Sequence, residues 1–350
     1  MTAVADVRER LTEIRPAGLN RDIVAAGLVR DVSLADGVAT IQLMPGPLPP
    51  PIVDATVADI RRAVGALDGV TRVDVQLARG PAEVEPLVLD GVGDIIAVSS
   101  TKGGVGKSTV AVNLAAALVR AGQRVGILDA DVYGPSLPTM LGLSGRPRVA
   151  EGNKIFPLEK DGLKVMSMGF FLDDTSPVIW RGPLVTGLLR QFLKDVEWGE
   201  LDVMVVDLPP GTGDAQLTLV QQVPLSGGVI VTTPQEVSVI DVERGIAMFN
   251  QVNTPVLGIV ENMSAYVCPH CGTRDELFGS GGGERLARQF GIPLLAQIPI
   301  VPDIRASGDA GTPIVIAQPE HAVSRMYASI AAQVLERVAA ERAPAPRIVG

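Results

Sequence analysis

The chain has 350 residues, 47% of them apolar, and a formal charge of −9 at pH 7. That length suits two domains, and the apolar content excludes disorder over most of it. The negative charge has the wrong sign for a chain whose main partner is nucleic acid, and no run approaches the ~20 uninterrupted apolar residues of a membrane span.

The opening run MTAVADVRERLTEIR mixes charged and apolar residues without a signal-peptide core. A cytoplasmic protein with neither membrane nor nucleic acid as partner is therefore expected. Residues 5–14 read as a helix, 23–34 and 38–43 as strands joined at Ala35-Asp36-Gly37, 55–67 as a helix and 70–77 as a strand. This α-β-β-α-β order makes residues 1–80 a small α+β domain. Residues 81–92, PAEVEPLVLDGV, form a proline-bearing linker. Strands at 94–98, 124–129, 203–207, 228–233, 256–261 and 294–298 then alternate with helices. The alternation predicts an α/β domain over 93–342, with a mainly parallel sheet flanked by helices and ligands bound at the carboxyl ends of its strands. Residues 324–342 read as its terminal helix, and 343–350 as a proline-containing tail.

Residues 102–109, KGGVGKST, join the first of these strands to an Ala/Leu-rich helix over 108–120. In that setting a glycine-rich turn cradles phosphate with its backbone N–H groups, aided by the positive end of the helix dipole. Lys107 is placed to reach the β- and γ-phosphates and the Ser108 hydroxyl to hold Mg²⁺. The ATP-binding stretch is Thr101, Lys102, Gly103, Gly104, Val105, Gly106, Lys107, Ser108 and Thr109. Thr101 stands where the general pattern has glycine, which predicts that the turn begins without a positive φ. Asp129 and Asp131 leave one strand end beside this turn. Asp207 ends another, in LDVMVVDLPPGTGD, as a Walker B carboxylate that reaches Mg²⁺ through water. Gly211, in the turn that follows, can offer its N–H to the γ-phosphate. Asn262 ends a further strand and can pair with a donor and an acceptor on adenine. Ile298-Pro299 and Pro302-Asp303 complete the base pocket.

The chain has two cysteines, Cys268 and Cys271, in CPHCG. A disulfide framework needs more. Structural zinc and a cubane cluster each take four protein ligands, and His270 is expected to point away, so two ligands would come from a second copy about a two-fold axis. Spacing alone leaves iron–sulfur, zinc, a redox dithiol and idle thiols open.

The second lysine, Lys102, resembles the deviant Walker A motif of MinD/ParA-like ATPases. The resemblance implies that Lys102 crosses to the nucleotide of a partner subunit and makes it, with Lys107 and Asp131, part of the catalytic set. Asp131 would orient the attacking water, Asp129 would serve the Mg²⁺ shell or a switch, and Asn262 would face the base. The first domain resembles that of iron–sulfur assembly factors, although Pro49-Pro50-Pro51 stands where many relatives carry a cysteine. KGGVGKST, DADVYGPS, the run from Val178 to Asp214, ENMS and CPHCG, in this order, resemble the Mrp-type iron–sulfur cluster carrier ATPases over nearly all of 93–320. That family implies a homodimer that hydrolyses ATP, bridges a labile four-iron–four-sulfur cluster between its Cys268 and Cys271 pairs, and passes it to apo iron–sulfur proteins alongside assembly factors. The rival is a MinD/ParA-like positioning switch with structural zinc. It would need a basic DNA face or a free amphipathic C-terminal helix, whereas the apolar positions Tyr327, Ile330, Val334, Leu335 and Val338 suit packing on the domain.

Overall fold

The computed structural model describes residues 4–16, 22–24, 26, 28–35, 37–43, 50–77, 87, 89–150, 154–171, 182–268 and 270–342. The chain divides into two compact units, Met1–Val84 and Glu85–Gly350.

The first unit contains α1 (Val4–Leu11), β1 (Val29–Ala35), β2 (Val38–Leu43), α2 (Pro50–Gly65) and β3 (Arg72–Leu77). Its sheet runs β1-β2-β3, antiparallel in the hairpin and parallel between β2 and β3. Strand alternation points Ala39, Ile41 and Leu43 inward onto Val7, Leu11, Ile60 and Val64. Three boundaries differ from expectation. The first strand begins at Val29, because the Asp22 carboxylate accepts from the Val24 N–H (3.0 Å) and the Leu28 N–H bonds to the Ile23 carbonyl (2.9 Å), which turns the chain. The first helix stops at Leu11. The second begins at Pro50, since proline has no N–H to lose in a helix's first turn. Asp36 and Pro49 lie outside the described residues.

The second unit contains β4 (Val92–Ser99), α3 (Lys107–Arg120), β5 (Val125–Asp129), α4 (Leu137–Met140), β6 (Leu158–Lys160), β7 (Leu163–Ser167), α5 (Gly182–Asp195), β8 (Leu201–Asp207), α6 (Asp214–Gln222), β9 (Gly227–Thr232), α7 (Glu236–Gln251) and β10 (Val256–Val267). There follow β11 (Arg274–Asp275), α8 (Gly282–Phe290), β12 (Leu294–Ile300), α9 (Pro302–Asp309), α10 (Ile314–Ala317) and α11 (Ala322–Arg342). The sheet order is β11-β10-β9-β4-β8-β5-β7-β6, with β12 also on β10. All pairs are parallel except β6·β7 and β10·β11. Residues of β5 and β9 are buried at every position, as a sheet covered on both faces requires. The six expected strands are all present. The sequence reading missed β6, β7 and β11, and β10 runs on to Val267, so the cysteine pair follows a strand end directly.

Helix α11 packs on α3 and β12 and buries Val323, Tyr327, Ile330, Val334 and Val338. The apolar face that a membrane-binding switch would leave free is thus used in the core. Among the described residues no helix is long and apolar enough to cross a membrane. The tail at 343–350 lies outside the described residues.

Candidate functional site

The carboxyl ends of β4, β8 and β5 lie side by side, with Val98 in register with Asp207 and Asp207 with Asp129. After β4 the Ser100 hydroxyl donates to the Lys102 carbonyl (2.9 Å), and the Ser100 carbonyl accepts the Gly211 N–H (2.8 Å). Both turns are therefore tied to one residue. Thr101 begins its turn without a positive φ, and its methyl group packs against Gly245 of α7. Gly104 and Gly106 carry the left-handed conformations, at φ 81° and 84°. Gly106 has a second reason to be glycine: a Cβ there would collide with the Asn262 amide.

Lys107, the first residue of α3, is buried. Its ammonium lies 2.6 Å from Asp207 Oδ1, 3.5 Å from Asp131 Oδ2 and 3.2 Å from Ser108 Oγ. Asp129 accepts from the Ser167 hydroxyl (2.9 Å) and the Leu137 N–H (3.3 Å) through Oδ2, and from the Asp131 N–H (3.2 Å) through Oδ1. Two carboxylates thus pair with one cation, and Asp129 lies alongside in register with Asp207. Burial, then the charge of Asp207, pushes Asp129 up to about 7. Burial also raises Asp207, against the opposing pull of Lys107. Asp207 Oδ2 is buried without a hydrogen-bond partner. An orphaned carboxylate oxygen close to the Ser108 hydroxyl offers hard oxygen donors, and with nucleotide phosphate and water completing the shell these residues fit Mg²⁺.

Two adjoining cavities share Gly106, Thr109 and Met140. The smaller, about 270 Å³, is lined by Lys102, Gly103, Gly104, Lys107, Ser108 and Asp131 among others, so the polar phosphate-type groups converge there. The larger, about 480 Å³, is mainly apolar and includes Asn262, Met263, Phe278, Pro299 and Ile304. Asn262 donates to the Val105 carbonyl (2.9 Å), which couples β10 to the phosphate turn. Its neighbour Glu261, also buried, accepts from the Gly283 N–H at the start of α8 and from Gln297 of β12 (2.8 Å), which fixes the strand end.

The cysteines occupy a hairpin between β10 and β11. Tyr266 faces Asp275 and Val267 faces Arg274. The Cys268 N–H bonds to the Thr273 carbonyl (3.0 Å), the Gly272 N–H to the Cys268 carbonyl (2.8 Å), and Gly272 takes φ 71°. Cys268 is half-buried and Cys271 exposed. The Thr273 hydroxyl, 3.1 Å from Cys271 Sγ, holds that thiol below its usual range. His270 is exposed, and Pro269 lies outside the described residues. Among the described residues no cluster of three or more His, Cys, Asp or Glu could hold a metal. The two thiols thus have no further ligand of that kind beside them among the described residues.

The profile of the NUBPL iron-transfer P-loop NTPases matches residues 91–335, and that of an iron-sulfur cluster assembly protein family matches residues 4–75. This chain belongs to the NUBPL-type iron-transfer P-loop NTPases. It is 46% identical over 340 residues to an iron-sulfur cluster carrier protein of Synechocystis, covering 94% of this chain and 96% of that one. It is also 46% identical to the Escherichia coli iron-sulfur cluster carrier protein, over 79% and 75% of the two chains. A nucleotide-binding protein of Archaeoglobus fulgidus, solved in complex with ADP, is 47% identical over 64% of this chain and 88% of its own, with a TM-score of 0.57. The cell-division ATPase MinD of Pyrococcus furiosus shares the fold at 22% identity and TM-score 0.54, over 70% and 99%.

The sequence reading did not single out Ser167, Met263 or Phe278. Ser167 ends the unpredicted strand β7, whose short apolar run in LKVMS was its available signal. Met263 lies in the left-handed region at φ 57°, which nothing in its residue type announces.

Proposed function

We propose that this chain is an ATP-hydrolysing iron–sulfur cluster carrier that works as a homodimer. Two copies hold a labile four-iron–four-sulfur cargo between their Cys268 and Cys271 thiolates and release it to apo iron–sulfur proteins. The observation that supports this reading is a thiol pair, half-buried Cys268 and exposed Cys271, with no third ligand beside it among the described residues. A cubane takes four thiolates, and two such hairpins about a two-fold axis supply them. Incomplete ligation within each chain makes the cargo easy to release. The first unit serves as a docking module for apo-proteins and assembly factors.

At the nucleotide site the triphosphate occupies the smaller cavity and the base the larger, against Asn262. Lys107 exchanges Asp207 for the β- and γ-phosphates, and Lys102 reaches the nucleotide of the partner subunit. Asp207 and Ser108 would hold Mg²⁺, with Asp129 in its outer shell, and the ion neutralises phosphate charge when bound. Asp131 orients a water that attacks the γ-phosphorus while the bond to the ADP oxygen breaks. The Gly211 N–H follows the departing γ-phosphate. Positioning and charge neutralisation lower the barrier, with no covalent intermediate.

The test is anaerobic reconstitution of the full chain with iron and sulfide. About four irons and four acid-labile sulfides per two chains are expected, and none in a Cys268→Ala, Cys271→Ala double variant. Zinc filling the thiolates, with iron at background, would favour the positioning-switch reading and overturn this one.

A further inference from the structure

The base cavity and the cysteine hairpin are parts of one strand-and-turn unit. Strand β10 passes the cavity at Asn262 and Met263 and reaches Cys268 five residues later. The chain then returns through β11 to a tight turn, closed by the Gly279 N–H on the Glu276 carbonyl (2.9 Å) with Gly279 at φ 81°. Phe278 sits in that turn and lines the same cavity. Three residues past Ser280, Gly283 is pinned to buried Glu261, so the returning segment is fixed at its far end. The cavity therefore borders the hairpin on its way out and on its way back.

An aromatic ring that is 38% exposed on a turn is costly to leave against water. A flat purine in the cavity offers it an apolar partner. Resting on the nucleotide-binding reading above, we propose that Phe278 is the positioning residue through which an occupied base cavity steadies the cysteine hairpin. The aromatic ring packs on the bound base, the 276–279 turn loses its alternatives, and the thiols spend less time open to solvent. The connection runs through one side chain and a few residues of backbone, so it predicts where it can be cut.

The experiment uses the metal-free, reduced full chain and MgADP, with wild type, Phe278→Ala and Phe278→Leu. Calorimetry first fixes a saturating MgADP concentration for each protein. The rate of thiol alkylation by N-ethylmaleimide is then followed by intact mass, with and without MgADP. In wild type, MgADP slows alkylation by about fivefold or more, the lower end of ordinary coupling between two sites. In Phe278→Ala the rates with and without MgADP coincide although MgADP still binds, and Phe278→Leu recovers part of the protection. A wild-type rate that MgADP leaves unchanged or raises, with binding seen by calorimetry, overturns the inference alone. Protection retained in Phe278→Ala at saturating MgADP does the same, as does an MgADP affinity unchanged in that variant, since the coupling is reciprocal. Failure of MgADP to bind wild type would overturn the nucleotide reading and the inference together.

Discussion

The nucleotide site and the cysteine hairpin solve opposite problems with charge. At the first, Lys107, Asp129, Asp131 and Asp207 are all buried, and each charge has its partners inside the chain except Asp207 Oδ2. At the second, the thiols sit in the turn between β10 and a two-residue strand, Cys268 half-buried and Cys271 exposed, with Thr273 as a polar partner of Cys271. A site that must stabilise a transition state gains from being assembled in advance in a low dielectric. On the proposed function the hairpin takes up and surrenders its cargo, and it gains from exposure and from few ligands. The difference predicts that damage to the two regions will read out differently.

The largest effect is expected at the hairpin. The Cys268→Ala, Cys271→Ala double variant should keep wild-type thermal stability, since Cys271 is exposed and Cys268 half-buried, while bound iron and sulfide fall to background. An unfolded double variant would show that the hairpin is structural after all. At the other site Lys107→Ala should do both kinds of harm. Turnover of ATP should fall by about a hundredfold or more. Urea unfolding should show about 3–5 kcal/mol lost, because removing one partner leaves Asp207 buried and unpaired. A loss under about 1 kcal/mol would contradict the assignment of Lys107 and Asp207 as a buried pair.

A smaller effect concerns pH. Asp129 is raised in the folded state to about 7, against ~3.9 in an unfolded chain. Between those values the folded state binds the extra proton, so the stability of the nucleotide-free protein should fall as pH rises from about 4 to about 7 and then level off. Asp129→Asn keeps the shape and removes the charge. Its melting temperature at pH 8 should exceed wild type by about 2–4 °C for each kcal/mol relieved, and the gain should vanish near pH 4. A gain that is the same at both pH values would mean the charge is not responsible. The smallest effect belongs to Met263→Gly. Relief of the left-handed backbone, worth about 1–2 kcal/mol, offsets the lost side-chain burial, so stability should stay within about 1 kcal/mol of wild type.

How much of this was legible in the sequence follows the same division. The phosphate turn, its flanking strand and helix, and the Asp207 strand are local patterns, and local periodicity and glycine placement give them directly. What the sequence hid depends on contacts between distant segments. Ser167 meets Asp129 only because the short strand β7 docks beside β5. Phe278 meets the larger cavity only because β10 extends past its expected end and the hairpin folds back. In the first unit, one carboxylate turn at Asp22 overrode the apolar run that reads as strand from residue 23. Apolar periodicity signals which face is buried, and it is silent on a side chain that captures its own backbone.

The central claim is that the cargo site is shared by two chains. Analytical ultracentrifugation of the anaerobically reconstituted protein, detected at the visible absorbance of iron–sulfide, tests it most directly. The coloured species is expected to sediment at twice the chain mass, and colour and dimer are expected to disappear together on chelation. A coloured monomer with a full complement of iron would contradict it.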